Sequence, residues 1–67
     1  MSGVTWRRMK DPLWSTTAGW EAFLDGRYIG SVWLDGGYTR HGNTVYFRSH
    51  ARAAEELLLQ VARDLRI

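Results

Sequence analysis

Residues 19–34 read GWEAFLDGRYIGSVWL, two runs of aromatic and branched side chains joined by Asp25-Gly26. An Asp-Gly pair between such runs favours a two-residue hairpin turn, because both central residues of that turn take positive φ. The turn predicts a register in which Leu24 faces Arg27, Phe23 faces Tyr28, Ala22 faces Ile29 and Trp20 faces Ser31. Alternation then places Trp20, Ala22, Leu24, Ile29 and Trp33 on one face. The other face carries Phe23, Tyr28, Val32 and Leu34, with Glu21 and Gly30, and neither face reads as a solvated one.

Downstream, GYTRH and NTVYFRS follow the Asp35-Gly36-Gly37 turn. A two-residue loop at Gly42-Asn43 would pair them. Tyr38, Val45 and Phe47 then share one side, and Thr39, His41, Thr44, Tyr46 and Arg48 share the other. Residues 50–66, HARAAEELLLQVARDLR, contain no Gly or Pro and are strong helix formers, with Ser49 as the N-cap. At 100° per residue, Ala51, Ala54, Leu57, Leu58, Val61, Ala62 and Leu65 form one apolar stripe. Arg52, Glu56, Arg63 and Arg66 lie opposite, with Leu59 among them, joined by Ile67 if the helix runs to the end. Upstream, VTWRRMK reads as an edge strand and DPLWSTTAG as a connector broken by Pro12.

The fold class expected is therefore α+β: a three- or four-stranded antiparallel meander with one C-terminal helix packed on one face. Its parts are an N-terminal strand and connector (1–17), the meander (18–48) and the helix (50–66). The 67 residues support one domain with a thin stability margin. Without cysteine, and with two histidines, disulfides are excluded and a closed zinc site is not expected. Four Trp, three Tyr and two Phe offer dense aromatic packing instead.

A single helix covers one face of a small sheet, yet both faces here are apolar. Three things can cover the second: the N-terminal segment folding back through Trp6, Met9, Leu13 and Trp14, a second copy of the chain, or an external partner.

The chain offers little for catalysis. GxGxxG and GxxxxGK patterns are absent, so no phosphate cradle is signalled. Ser49 beside His50 is explained by capping, and Asp35 and His41, even if brought together across the loop, do not make a site. The chain is expected not to be an enzyme and to need no cofactor. The longest apolar run is LLL and the N-terminus lacks the apolar core of a secretory signal, which predicts a cytoplasmic protein without a membrane partner.

Net charge is +2, with the cationic excess in the strand region: residues 1–48 hold six basic and four acidic side chains. Sheet surfaces read nucleic acid when Arg reaches phosphates while aromatics stack. Tyr46 and Arg48, two apart on one strand, fit that pattern, with Thr39, His41 and Arg27 near, and RRMK (7–10) forms a further cationic cluster. The alternative is structural: Arg48 covers apolar surface with its stem, Tyr46 sits in a cross-strand pair, and charge near a terminus is solvated.

The order of strands and helix, with Trp20 and Ala22, the Asp25-Gly26 turn, Val32-Trp33-Leu34 and Ala54-Glu55-Glu56, resembles the small DNA-binding domains of the AP2 type and the arm-binding domains of phage integrases. The resemblance implies a sheet lying in a DNA groove, with Arg27, Trp33, Tyr46 and Arg48 as readers. Arg7, Arg8 and Arg40 complete the candidate nucleic-acid contacts, for DNA or RNA. DGGY followed by a strand and a Glu/Ala/Leu helix is also similar to antitoxins with a partial RNase H fold. The chain looks like an accessory protein of a phage or mobile element. The competing expectation is a protein-interaction or homodimerising adaptor that uses Leu59 and the second sheet face.

Overall fold

The structure, a computed structural model, describes residues 3–66. Ile67, placed beside Leu59 by the helical pattern, lies outside the described residues. Five strands and one helix follow in chain order: β1 (Val4–Lys10), β2 (Thr17–Leu24), β3 (Arg27–Trp33), β4 (Gly37–Arg40), β5 (Asn43–Tyr46) and α1 (His50–Leu65). The strands form one open antiparallel meander in the order β1-β2-β3-β4-β5, and α1 packs on one face of it, an α+β fold. The strand number is five rather than three or four: VTWRRMK forms the edge strand as expected, and GYTR and NTVY each count as a strand of the meander.

Asp25 and Gly26 take φ of 50° and 84°, both positive as the hairpin turn requires. The β4–β5 loop is His41-Gly42, with φ of 52° and 78°, one residue earlier than Gly42-Asn43. This puts glycine second in the turn, as in Asp25-Gly26. The shift changes each pairing by two residues and leaves the alternation intact. Tyr38 pairs with Val45 on the helix side, and Thr39 pairs with Thr44 on the other.

The β2–β3 register departs from the simple hairpin after two pairs. Leu24↔Arg27 and Phe23↔Tyr28 hold, but Ala22 pairs with Gly30, Glu21 with Ser31, Trp20 with Val32 and Gly19 with Trp33. Ile29 is the extra residue of a β-bulge, and both it and Gly30 are buried. Beyond the bulge every side chain of β3 changes face: Val32 joins Trp20 and Ala22 under the helix, and Trp33 moves to the opposite side. The helix supplies a reason for the bulge at this point. A Cβ on Gly30 would stand 2.8 Å from Leu57 Cδ1 and 2.8 Å from the Thr39 carbonyl oxygen, so only a glycine lets β3, β4 and α1 approach this closely.

The core is Ala22, Ile29 and Val32 from the sheet against Ala53, Leu57 and Val61 from the helix. The buried stripe of α1 is thus centred on Ala53, Leu57 and Val61, rotated from the expected one. Ala54 and Leu58 lie on its flank, and Ala51 and Leu65 are exposed. Ala53 is the small residue that lets the helix backbone come down over the sheet. Ser49 caps the helix as expected, its Oγ accepting from Arg52 N at 3.2 Å. Arg66, left-handed at φ 57°, ends it by donating its N–H to Ala62 and Arg63 carbonyls.

The N-terminal segment does not fold back over the second face. Its backbone pairs with β2 along the sheet edge, which satisfies its donors and acceptors in the ladder. Trp6, paired with Ala22, consequently stands on the helix side. Leu13 and Trp14 sit at the tip of the β1–β2 connection, 84% and 76% exposed. That connection is held by Asp11, whose carboxylate accepts from Leu13 N at 2.9 Å and Trp14 N at 3.1 Å. Among the described residues no helix is long and apolar enough to cross a membrane.

Candidate nucleic-acid interface

The sheet face turned away from α1 is built by the bulge. Cross-strand pairing lines up Arg7, Glu21, Ser31, Thr39 and Thr44 in one row on this face. Alternation adds Phe23, Tyr28, Trp33 and Tyr46. Four of the aromatic residues therefore share the side that no helix covers. Tyr46 is 66% exposed and Tyr28 53%.

Two of these rings are laid over glycines. A Cβ at Gly37 would meet Tyr46 Cε1 at 2.9 Å and Cδ1 at 3.0 Å, so the phenol ring rests where a side chain of β4 would stand. A Cβ at Gly19 would meet the backbone of β3 first, the Val32 carbonyl oxygen at 2.4 Å and Trp33 Cα at 3.1 Å, and then the indole at Cε3, 3.3 Å away. An aromatic lying across a strand glycine shields bare backbone. Tyr46 stays exposed above Gly37, and Trp33 is half-buried. The indole is anchored at its edge: Trp33 Nε1 donates to Thr39 Oγ1 at 2.9 Å, and Thr39 shares a 2.8 Å hydrogen bond with Thr44. Trp33 and Tyr46 line one shallow cleft of about 610 Å³, together with Thr17, Leu34, Asp35 and Thr44. The polar side chains that line it are threonines and one carboxylate, Asp35.

At the other end of this face the groups are already engaged with one another. Arg7 pairs with Glu21 at 2.6 Å and lies over the Phe23 ring, 5.5 Å from its centroid. Phe23 meets Tyr28 edge to face at 5.9 Å, and the Tyr28 hydroxyl bonds to buried Ser31 Oγ. Arg7 and Glu21 cancel in charge, so the face as a whole is aromatic and nearly neutral.

Of the seven residues expected to contact nucleic acid, Arg7, Trp33 and Tyr46 stand on this face. The other four do not join them there. Arg8 pairs with Trp20 and Arg27 with Leu24, which places both on the helix side. Arg40 is also on that side and is only 12% exposed: its Nε donates to the Ile29 carbonyl at 3.1 Å and its guanidinium pairs with Asp64 of α1. Arg40 therefore fastens the helix to the sheet. Arg48 is exposed, but β5 ends at Tyr46, so the two are not neighbours on one strand; Arg48 belongs to the bend that leads into α1.

Asp35 and His41 do not approach each other, since β4 separates the turns that carry them, and Asp35 accepts from Gly37 N at 3.2 Å. Leu59 is an isolated exposed leucine between charged turns of α1. The sequence carried a signal for the ring platform that alternation missed: Gly19 sits inside β2 and Gly37 opens β4, and a strand glycine marks a close approach.

Compared with known proteins, the chain matches no family model, no curated protein and no solved structure.

Proposed function

We propose that the protein is a non-enzymatic binding module that engages nucleic acid, as single strands, through the face of the sheet opposite α1. The observation that carries this reading is the pair Trp33 and Tyr46, whose rings lie over strand glycines and line one open cleft. Base stacking on an aromatic side chain is worth about 1–3 kcal/mol per base and needs an unstacked base, which a single strand offers and a duplex does not. Hydroxyls of Thr39 and Thr44 and the Asp35 carboxylate supply neutral and anionic acceptors for exocyclic amino groups at the cleft. Few cations stand on this face, so binding there would draw on stacking more than on phosphate contacts. Arg7, which lies over the Phe23 ring, and Arg48, two residues beyond Tyr46 in the bend after β5, are the cations available to phosphates beside this face.

The test is a titration of the isotope-labelled protein with a single-stranded DNA oligonucleotide, its RNA counterpart and the corresponding duplex. The indole resonance of Trp33 and the amides of Thr39, Thr44 and Tyr46 should move with the single strands. Tyr46→Ala should weaken that binding by about 1–3 kcal/mol, or five- to 150-fold, while leaving the fold intact, since Tyr46 is on the surface. Absence of shifts with all three ligands would remove nucleic acid as the ligand of this face.

A further inference from the structure

A single helix is about 10 Å across, and five strands at about 4.8 Å spacing are more than twice as wide. α1 lies over β3 and β4. On the helix side, β1 and the adjoining edge of β2 are therefore left without a helix above them, although Ala22 of β2 is fully buried and Trp20 is partly covered by His50. The floor of this gap is Trp6 and Trp20, and its wall is the flank of α1 at His50, Ala51 and Ala54, enclosing about 250 Å³. The Trp20 ring is packed against His50, 4.9 Å between centroids, which fixes one end of the wall. Trp6 remains 41% exposed, and the alanines leave the wall low.

Charge defines the rim. Arg8 stands beside Trp20 in the β1–β2 ladder, and Arg27 beside Leu24 in the β2–β3 ladder, both on the helix side and toward opposite ends of this gap. Among the described residues neither makes an ion pair, whereas Arg7, Arg40 and Arg52 do.

We infer that this groove receives an amphipathic α-helix from a protein partner, with an apolar stripe laid on Trp6 and Trp20 and acidic side chains toward Arg8 and Arg27. The site is separate from the aromatic face, because the sheet lies between them. A helix from a second copy of this chain fits poorly. α1 has already committed Ala53, Leu57 and Val61 to its own sheet, and its exposed side carries Arg52, Glu55 and Arg63 around Leu59. Laying that side on two tryptophans would strip water from charges without a new partner for each.

The probe is a designed helical peptide of about 16 residues, with Leu at i, i+3, i+4 and i+7 spacing and Glu elsewhere, compared with a peptide bearing Lys in place of Glu. The Glu peptide should shift the indole resonances of Trp6 and Trp20 and leave that of Trp33 in place. Trp6→Ala should weaken it about tenfold or more, as loss of an aromatic anchor does. Arg8→Glu changes only an exposed side chain, so it keeps the test clear of folding defects. It should lower affinity for the Glu peptide about fivefold and raise that for the Lys peptide. Equal binding of the two peptides, shifts centred on Trp33, or no binding would overturn the inference. A dimer by light scattering that sequesters Trp6 would also overturn it, in favour of a second copy.

Discussion

At Gly30 a single added methyl would meet Leu57 on one side and the Thr39 carbonyl on the other, both at 2.8 Å, on a backbone with φ 156°. The leucine end can swing; the β4 backbone cannot without loosening its pairing. Gly30→Ala is therefore expected to destabilise the protein by about 2–3 kcal/mol, measured as a lower urea midpoint. Gly42, at φ 78° with open space around it, is the comparison: its alanine variant should cost about 1 kcal/mol from backbone strain alone. Equal losses at the two positions would mean that close packing against α1 is not what requires glycine at 30. The bulge beside Gly30 was not legible in the sequence, because alternation only counts residues. The turn at Asp25-Gly26 correctly fixed the first two pairs; the one local signal beyond them is Gly30, since a glycine inside a strand marks a bulge or a close approach, but it does not say which residue becomes the extra one. Trp33 changes face as a result, and it does so in the direction that completes the aromatic platform.

Among the elements, α1 was the most legible. Its start at Ser49, its length and its amphipathic character are all local properties, set by capping and by the 3.6-residue period. Ser49→Ala should cost about 1 kcal/mol, read from the same urea transitions. Which side of a broad stripe is buried is not local. By pattern Leu57 and Leu65 are equivalent, yet Leu57 is fully buried against Gly30 and Leu65 is half exposed. Leu57→Ala should accordingly cost about 2–5 kcal/mol, enough to unfold much of the population of so small a domain, whereas Leu65→Ala should stay within about 0.5 kcal/mol. Comparable effects at the two positions would contradict the rotation of the stripe toward Ala53. The β4–β5 hairpin shows the complementary case. Its loop is displaced by one residue from the expected position, but the faces survive, because only an odd shift in pairing exchanges them.

On the scale of the molecule, one helix leaves two regions of the sheet unprotected, and they differ in chemistry. The far face is aromatic and almost neutral, and the gap beside α1 is apolar with a cationic rim. For the proposed nucleic-acid interface this contrast has a quantitative consequence. If Arg7 and Arg48 supply the phosphate contacts, the logarithm of the binding constant for a single strand should fall with log salt at a slope of about −0.7 to −1.4, corresponding to one or two phosphates. A slope several times steeper, measured by fluorescence titration across salt concentrations, would show that cations on the helix side of the sheet carry the binding and that the aromatic face does not. Arg40 should contribute nothing to that slope, since its guanidinium is held by Asp64 and the Ile29 carbonyl.

The sequence by itself determined the α+β class, the meander, the Asp25-Gly26 turn, the helix and its cap, because each follows from turn chemistry or from side-chain periodicity within a few residues. It also showed that one helix covers only one face of such a sheet. The other face, expected to be apolar, carries a polar row of Arg7, Glu21, Ser31, Thr39 and Thr44 among its aromatic rings. Tertiary structure alone decided which side chains occupy each face beyond the bulge, where α1 sits across the strands, and that Leu13 and Trp14 stay exposed at the β1–β2 connection and do not fold over the second face. Those outcomes depend on contacts between residues far apart in the chain, Gly30 with Leu57 and Arg40 with Asp64 among them. Their energies enter only once the layers meet.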